Sequence, residues 1–219
     1  MLSDSGHISR RNFLKAITVL GLSSCTPFLP RTRFIHLLTN DPHPDHYNPI
    51  LRSLIKLVLP FEHPRFPEIT PDTVLKNIDI HFPLTEERQE PFQRAFVLFN
   101  DIQLFNERLP AIIDEEAKLF REFEGFENNE INSRIDEFVH HDKLLFNDFE
   151  KKHGYFESFM SAPKEVQSDY FYLWSQSSFN IRRMFFNSSK GVINACTYCQ
   201  EDMWEVMGYA GHFDPQENQ

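Results

Sequence analysis

The chain has 219 residues, 41% of them hydrophobic and 25% charged, which is enough for one ordinary folded domain and unlike the composition of a disordered chain. Its 32 acidic side chains against 22 basic ones give a formal net charge of −10, a sign that repels phosphate backbones and argues against nucleic acid as a partner. The 7 glycines fall in no G-x-G-x-x-G or G-x-x-x-x-G-K-[ST] frame, which excludes nucleotide cradles of those types, and no dinucleotide is expected on this chain.

The first informative segment is the N-terminus. Ser9-Arg10-Arg11-Asn12-Phe13-Leu14-Lys15 matches the twin-arginine export motif at each defined position, with Arg10, Arg11, Phe13 and Leu14 carrying the signal. The mostly apolar run 16–24 that follows has the length of a signal-peptide core and falls well short of the roughly 20 residues a spanning helix needs. Leu22-Ser23-Ser24-Cys25 resembles a lipobox, in which Cys25 becomes the lipidated first residue of the mature chain. Residues 1–24 are therefore expected to be a removable leader and residues 25–48 a stalk, rich in proline and polar side chains such as Asn40-Asp41-Pro42-His43. The expected location is the periplasmic side of a membrane, with acyl chains on Cys25 as the anchor.

From residue 49 to 213 the pattern is helical, ahead of a polar tail at 214–219. Ile50–Leu59 predicts an apolar helix stopped by Pro60, and Thr70-Pro71 an N-cap followed by proline at the first helical position. Phe92, Phe96, Phe99, Ile102 and Phe105 recur at steps of three and four, predicting one amphipathic helix ended by Pro110. Further helices are expected over Ile112–Phe123 and over the segment marked by Ile131, Ile135, Phe138, Leu145 and Phe149, closed near Gly154. After Pro163 a last long stretch sets Tyr170, Trp174, Ile181 and Phe185 on one face, and beyond Gly191 the positions Val192, Cys196, Cys199, Met203 and Val206 continue it. No segment shows convincing strand alternation. The expectation is all-α, a single irregular helical domain whose core is built largely from the 23 phenylalanines.

Leu54–Pro60, the loop with Phe66-Pro67 and the helix containing Val74 and Ile78 resemble the opening of the gluconate 2-dehydrogenase subunit 3 family. Tyr172-Leu173-Trp174, the pair Arg182-Arg183 and the ending Trp204-Glu205-Val206-Met207-Gly208-Tyr209-Ala210-Gly211 continue that resemblance, with Ala210 where the family usually has proline. It spans roughly residues 50–212 and leaves out the acidic middle, 105–154. The resemblance implies a small helical subunit without catalytic residues or cofactor of its own. It pairs with a large FAD-dependent dehydrogenase subunit of gluconate, sugar or alcohol type, and the FAD lies in that partner. Trp204, Gly208 and Tyr209 are then expected at the partner interface. The alternative is a free-standing exported helical lipoprotein with a binding or cell-envelope structural role.

Other constellations are weaker. Glu137-x-x-His140 and Glu150-x-x-His153 have di-iron spacing, but on one helix the two motifs would lie about 20 Å apart, so no shared metal centre is expected. Cys196-x-x-Cys199 lacks the following histidine of a haem motif; the pair reads equally as apolar filler or as a disulfide. The serines near 175–178 and 188–189 read as helix-surface or loop residues, and the mixed charge runs Asp114–Lys118 and Asp148–Lys152 as solvated faces.

Overall fold

The computed structural model describes residues 44–82 except 65, residues 95–198 except 97, and residues 200, 203 and 204. These residues are all-α. Among them the single piece of β pairing is an isolated antiparallel bridge between Asp101 and Ser158.

Helix α1 spans Pro44–Val58 and buries Tyr47, Ile50, Leu51, Leu54 and Ile55, the i, i+3, i+4, i+7, i+8 stripe of a core-facing helix. It starts six residues before Ile50, so the end of the expected stalk belongs to the helix. Proline at the first helical position, Pro44, is tolerated there, and Pro49 lies early enough to interrupt only the first turns. Burial of the Tyr47 ring holds those turns to the body.

Helix α2, Pro71–His81, opens as its sequence predicts: Thr70 Oγ1 accepts the N–H of Thr73 at 3.2 Å, and Pro71 occupies the first turn. It buries Val74, Leu75 and Ile78.

The helix expected from Phe92 to Pro110 is broken. Residues 98–100 are helical, but Asp101 is extended and a 3₁₀ turn follows at Ile102–Phe105. The carboxylate of Asp101 accepts the N–H groups of Gln103 (3.1 Å) and Leu104 (3.4 Å), offering the backbone an alternative to helical bonding. The N–H of Ile102 then turns to the carbonyl of Glu157, 3.2 Å away. Periodicity still identifies the inward side chains, since Phe96, Phe99, Ile102 and Phe105 are all buried.

Helix α3, Pro110–Leu119, widens into a π turn at Phe120–Glu124, closed by Gly125 in the left-handed region (φ 70°), whose N–H reaches the carbonyl of Phe120. Helix α4 runs unbroken over Asn128–His153. Its start is fixed by Glu130, whose carboxylate accepts the N–H of Glu127 at 2.8 Å, and Lys151, Lys152 and His153 complement the dipole in its last turn. A 3₁₀ turn at Phe159–Ser161 leads to α5, Lys164–Gln176, and then α6, Asn180–Tyr198. The last long stretch of the sequence is thus two helices, separated at 177–179.

Helix α6 is the hub: it packs on α5, α2, α1 and α3. Beside it, the Phe99 ring lies 4.7–5.8 Å from the rings of Phe159, Tyr170, Phe171, Trp174 and Phe185. Each such ring contributes roughly 1.5–3 kcal/mol by leaving water. A smaller cluster of Phe120, Ile131 and Ile135 belongs to the α3–α4 pair alone. Among the described residues no helix is long and apolar enough to cross a membrane.

Candidate functional site

The most concentrated polar chemistry lies inside the body, where α3 and α4 meet the α5–α6 junction. Asp142 of α4 and Arg182 of α6 are each 3% exposed, and Arg182 Nη1 donates to Asp142 Oδ2 at 2.6 Å. The same carboxylate oxygen accepts the hydroxyl of Ser177 at 2.5 Å, while Oδ1 accepts the N–H of Ser178 at 2.8 Å. The Arg182 guanidinium lies 4.1 Å above the Phe105 ring centroid and 5.5 Å from that of Phe179, so a cation stacked between aromatic rings faces its carboxylate at one edge. Burial pulls the Arg182 guanidinium below its ordinary value, opposed chiefly by the Asp142 charge.

Glu116 completes the arrangement. Its Oε1 accepts the N–H of Ile181 at 3.0 Å, in the first turn of α6. Burial raises the Glu116 carboxyl above the usual range, and the hydrogen bond from Ile181 and the charge of Arg183 oppose that rise. Arg183 Nη1 donates to the carbonyls of Ser177 (2.5 Å) and Ser178 (2.7 Å). The Ile181 N–H in the first turn of α6 is therefore satisfied by Glu116 of α3, the Ser178 N–H of the junction ahead of it by Asp142 of α4, and the junction carbonyls of Ser177 and Ser178 by Arg183. Each group has a structural duty.

This arrangement corrects two expectations and adds burial to a third. Glu116 is not on a solvated face but 2% exposed; it follows Ile112 and precedes Phe120 by one turn each, on the inward side of α3. Ser177 is in a loop but 1% exposed, because its hydroxyl serves Asp142 while accepting the N–H of Phe179. Ser188 and Ser189 are buried within α6, where small side chains let the helix approach the core. The run Asp148–Lys152 does face water apart from Phe149 and the half-buried Glu150.

Both Glu-x-x-His motifs lie on the one helix α4, as their spacing requires. Glu137 pairs with Arg134 at 3.2 Å, whereas the largely buried His153 ring meets Asp169 of α5 at 2.8 Å and lies tilted against the Phe149 ring, 5.1 Å between centroids. The latter pair ties α4 to α5. Among the described residues no three His, Cys, Asp or Glu side chains are grouped to hold a metal ion.

Of the residues singled out from the sequence, Arg10, Arg11, Phe13, Leu14, Cys25, Cys199, Gly208 and Tyr209 lie outside the described residues. Cys196 is buried in the main core together with Val192 and Met203. Trp204 is half-buried, and its indole N–H donates to the carbonyl of Tyr198 at 3.2 Å, satisfying one of the last carbonyls of α6. Within the resembling stretch Tyr172-Leu173-Trp174, Leu173 and Trp174 are buried and Tyr172 is 58% exposed.

The polar cluster was missed by motif reading, yet the sequence holds a signal for it. Ile131, Ile135, Phe138, Asp142, Phe146 and Phe149 follow one another at steps of three or four, so Asp142 stands on the apolar stripe of its own helix. Arg182, Phe185, Ser189, Val192 and Cys196 do the same on α6. No family model, curated protein or solved structure matches this chain.

Proposed function

We propose that this chain is the non-catalytic small subunit of an exported FAD-dependent dehydrogenase complex, of gluconate, sugar or alcohol type. In this role it assists export of the folded large subunit and holds it at the membrane. The observation that carries the proposal is the Ser9–Lys15 twin-arginine run with Cys25 behind it. That route moves proteins already folded, commonly with a cofactor in place, while this chain contains no nucleotide-binding glycine frame. A cofactor-bearing partner carried across in the same complex accounts for both facts. The resemblance over residues 50–212 identifies the partner class, and an all-helical body agrees with a small subunit of that kind.

The large subunit docks on a surface that includes Trp204, Gly208 and Tyr209, and a permanent interface of this sort buries more than about 2,000 Å². The acyl anchor on Cys25 keeps the enzyme beside its membrane electron acceptor. The test is affinity purification of the full chain from its native cell envelope, followed by an absorbance spectrum. A yellow complex with a second, larger chain is expected. A colourless, stable monomer refutes the subunit role and selects a free-standing lipoprotein.

A further inference from the structure

A narrow cleft opens beside the ion pair, between the 102–109 segment, α3 and α4. Phe105, Leu109, Ile112, Val139 and Phe179 form its apolar walls, and Asn106, Asp142 and Arg182 also line it. Two of these lining residues carry a buried polar atom with no hydrogen-bond partner among the described residues: Arg182 Nε, a donor, and Asn106 Oδ1, an acceptor. Arg182 is 97% buried, so water outside the protein does not reach its Nε–H. A buried donor left unmade costs far more than a typical hydrogen bond gains, and a charged one costs most. One donor and one acceptor on the same small cleft are the complement of a single molecule that accepts from the first and donates to the second.

Charge and size decide what that molecule is. The lining carries charges of both signs, with Glu107, Arg108 and Lys143 beside the Asp142–Arg182 pair, so an added anion meets carboxylates as well as cations. An added cation would face Arg108, Lys143 and the Arg182 guanidinium. The ligand is therefore neutral. The cleft offers about 10 Å³, the room of one water molecule and a small fraction of a metabolite pocket.

We infer that the cleft binds one ordered water, which accepts a hydrogen bond from Arg182 Nε–H and donates one to Asn106 Oδ1. It links the 3₁₀ segment to α6 and completes the hydrogen bonding of the buried guanidinium. This inference is independent of the subunit role and stands or falls separately from it.

The test is a crystal structure of the full chain beyond about 1.8 Å, with a second crystal held under xenon pressure. A single compact peak within about 2.7–3.2 Å of both atoms, with no xenon in the cleft, is the expected result. Xenon density in the cleft, a larger molecule there, or no density beside Arg182 Nε overturns the inference. In solution, oxygen-17 relaxation dispersion should count one fewer long-lived water in Asn106→Leu than in the native protein. An unchanged count refutes the bridging role. If that variant does not fold, the native crystals still decide the matter.

Discussion

Replacing Asp142 by Asn keeps the size of the side chain and an oxygen for the Ser178 N–H, but removes the charge facing Arg182. The amide then turns an NH₂ group toward a guanidinium that is 3% exposed and toward the hydroxyl of Ser177. Breaking one half of a buried, hydrogen-bonded ion pair costs about 3–5 kcal/mol, most of it from the charge left without compensation. A domain of this size loses roughly 2–4 °C of Tm for each kcal/mol, so Asp142→Asn should melt about 6–20 °C below the native protein. The assay is thermal unfolding followed by circular dichroism, with urea titration for the free energy. Two companions give the comparison its meaning. Glu137→Gln removes an exposed pair 3.2 Å long and should change stability by less than about 0.5 kcal/mol. The double variant Asp142→Leu with Arg182→Met deletes both charges and should recover most of the single variant's loss. A cost for Asp142→Asn no greater than that for Glu137→Gln, or a double variant worse than the sum of its parts, would refute the reasoning.

Glu116→Gln should gain stability relative to the native protein at neutral pH. A carboxyl raised in the folded state contributes stability that is complete below its ordinary value and lost as pH rises through the raised one, so the variant's advantage should shrink as pH falls from 7 toward 4 in urea titrations. Trp204→Ala should weaken co-purification of the large subunit more than it lowers Tm, because the indole is only half-buried; simple unfolding of the lone chain would assign the ring to the core instead. Arg10→Lys with Arg11→Lys should leave unprocessed precursor in the cytoplasm, read by fractionation and immunoblot, and normal envelope localisation would end the export argument. Cys25→Ala should release the protein from membranes with its Tm unchanged, and native protein without a fatty-acid label would remove the anchor.

The helical class was legible because apolar periodicity dominates this chain, and the Thr70-Pro71 start and Gly154 stop were legible because capping chemistry is local. The breaks at Asp101 and at 177–179 were not, for a related reason. Asp101 competes for its own backbone, while the serines at 177 and 178 are held by Asp142, thirty-five residues or more away in sequence. A pattern of apolar side chains cannot report a hydrogen bond whose partner comes from another helix. The buried cluster was hidden by a different habit, the reading of charged residues as surface. The positions of Glu116, Asp142 and Arg182 on otherwise apolar stripes carried the information, and register outweighed residue type at all three.

The carboxylates that hold the start of α6 and the junction before it also bear on the order in which the molecule can assemble. Cut from the rest, the sequence of α6 would present its leading N–H groups to solvent and fray from that end. The Ile181 N–H at that end, and the Ser178 N–H of the junction just before it, meet their carboxylates only when the α3–α4 hairpin has swung into place, since Glu116 and Asp142 arrive from opposite arms of it. The hub of the core is therefore finished by the segment least connected to it. A protease that nicked the hairpin turn near Gly125 would loosen a helix that begins more than fifty residues downstream.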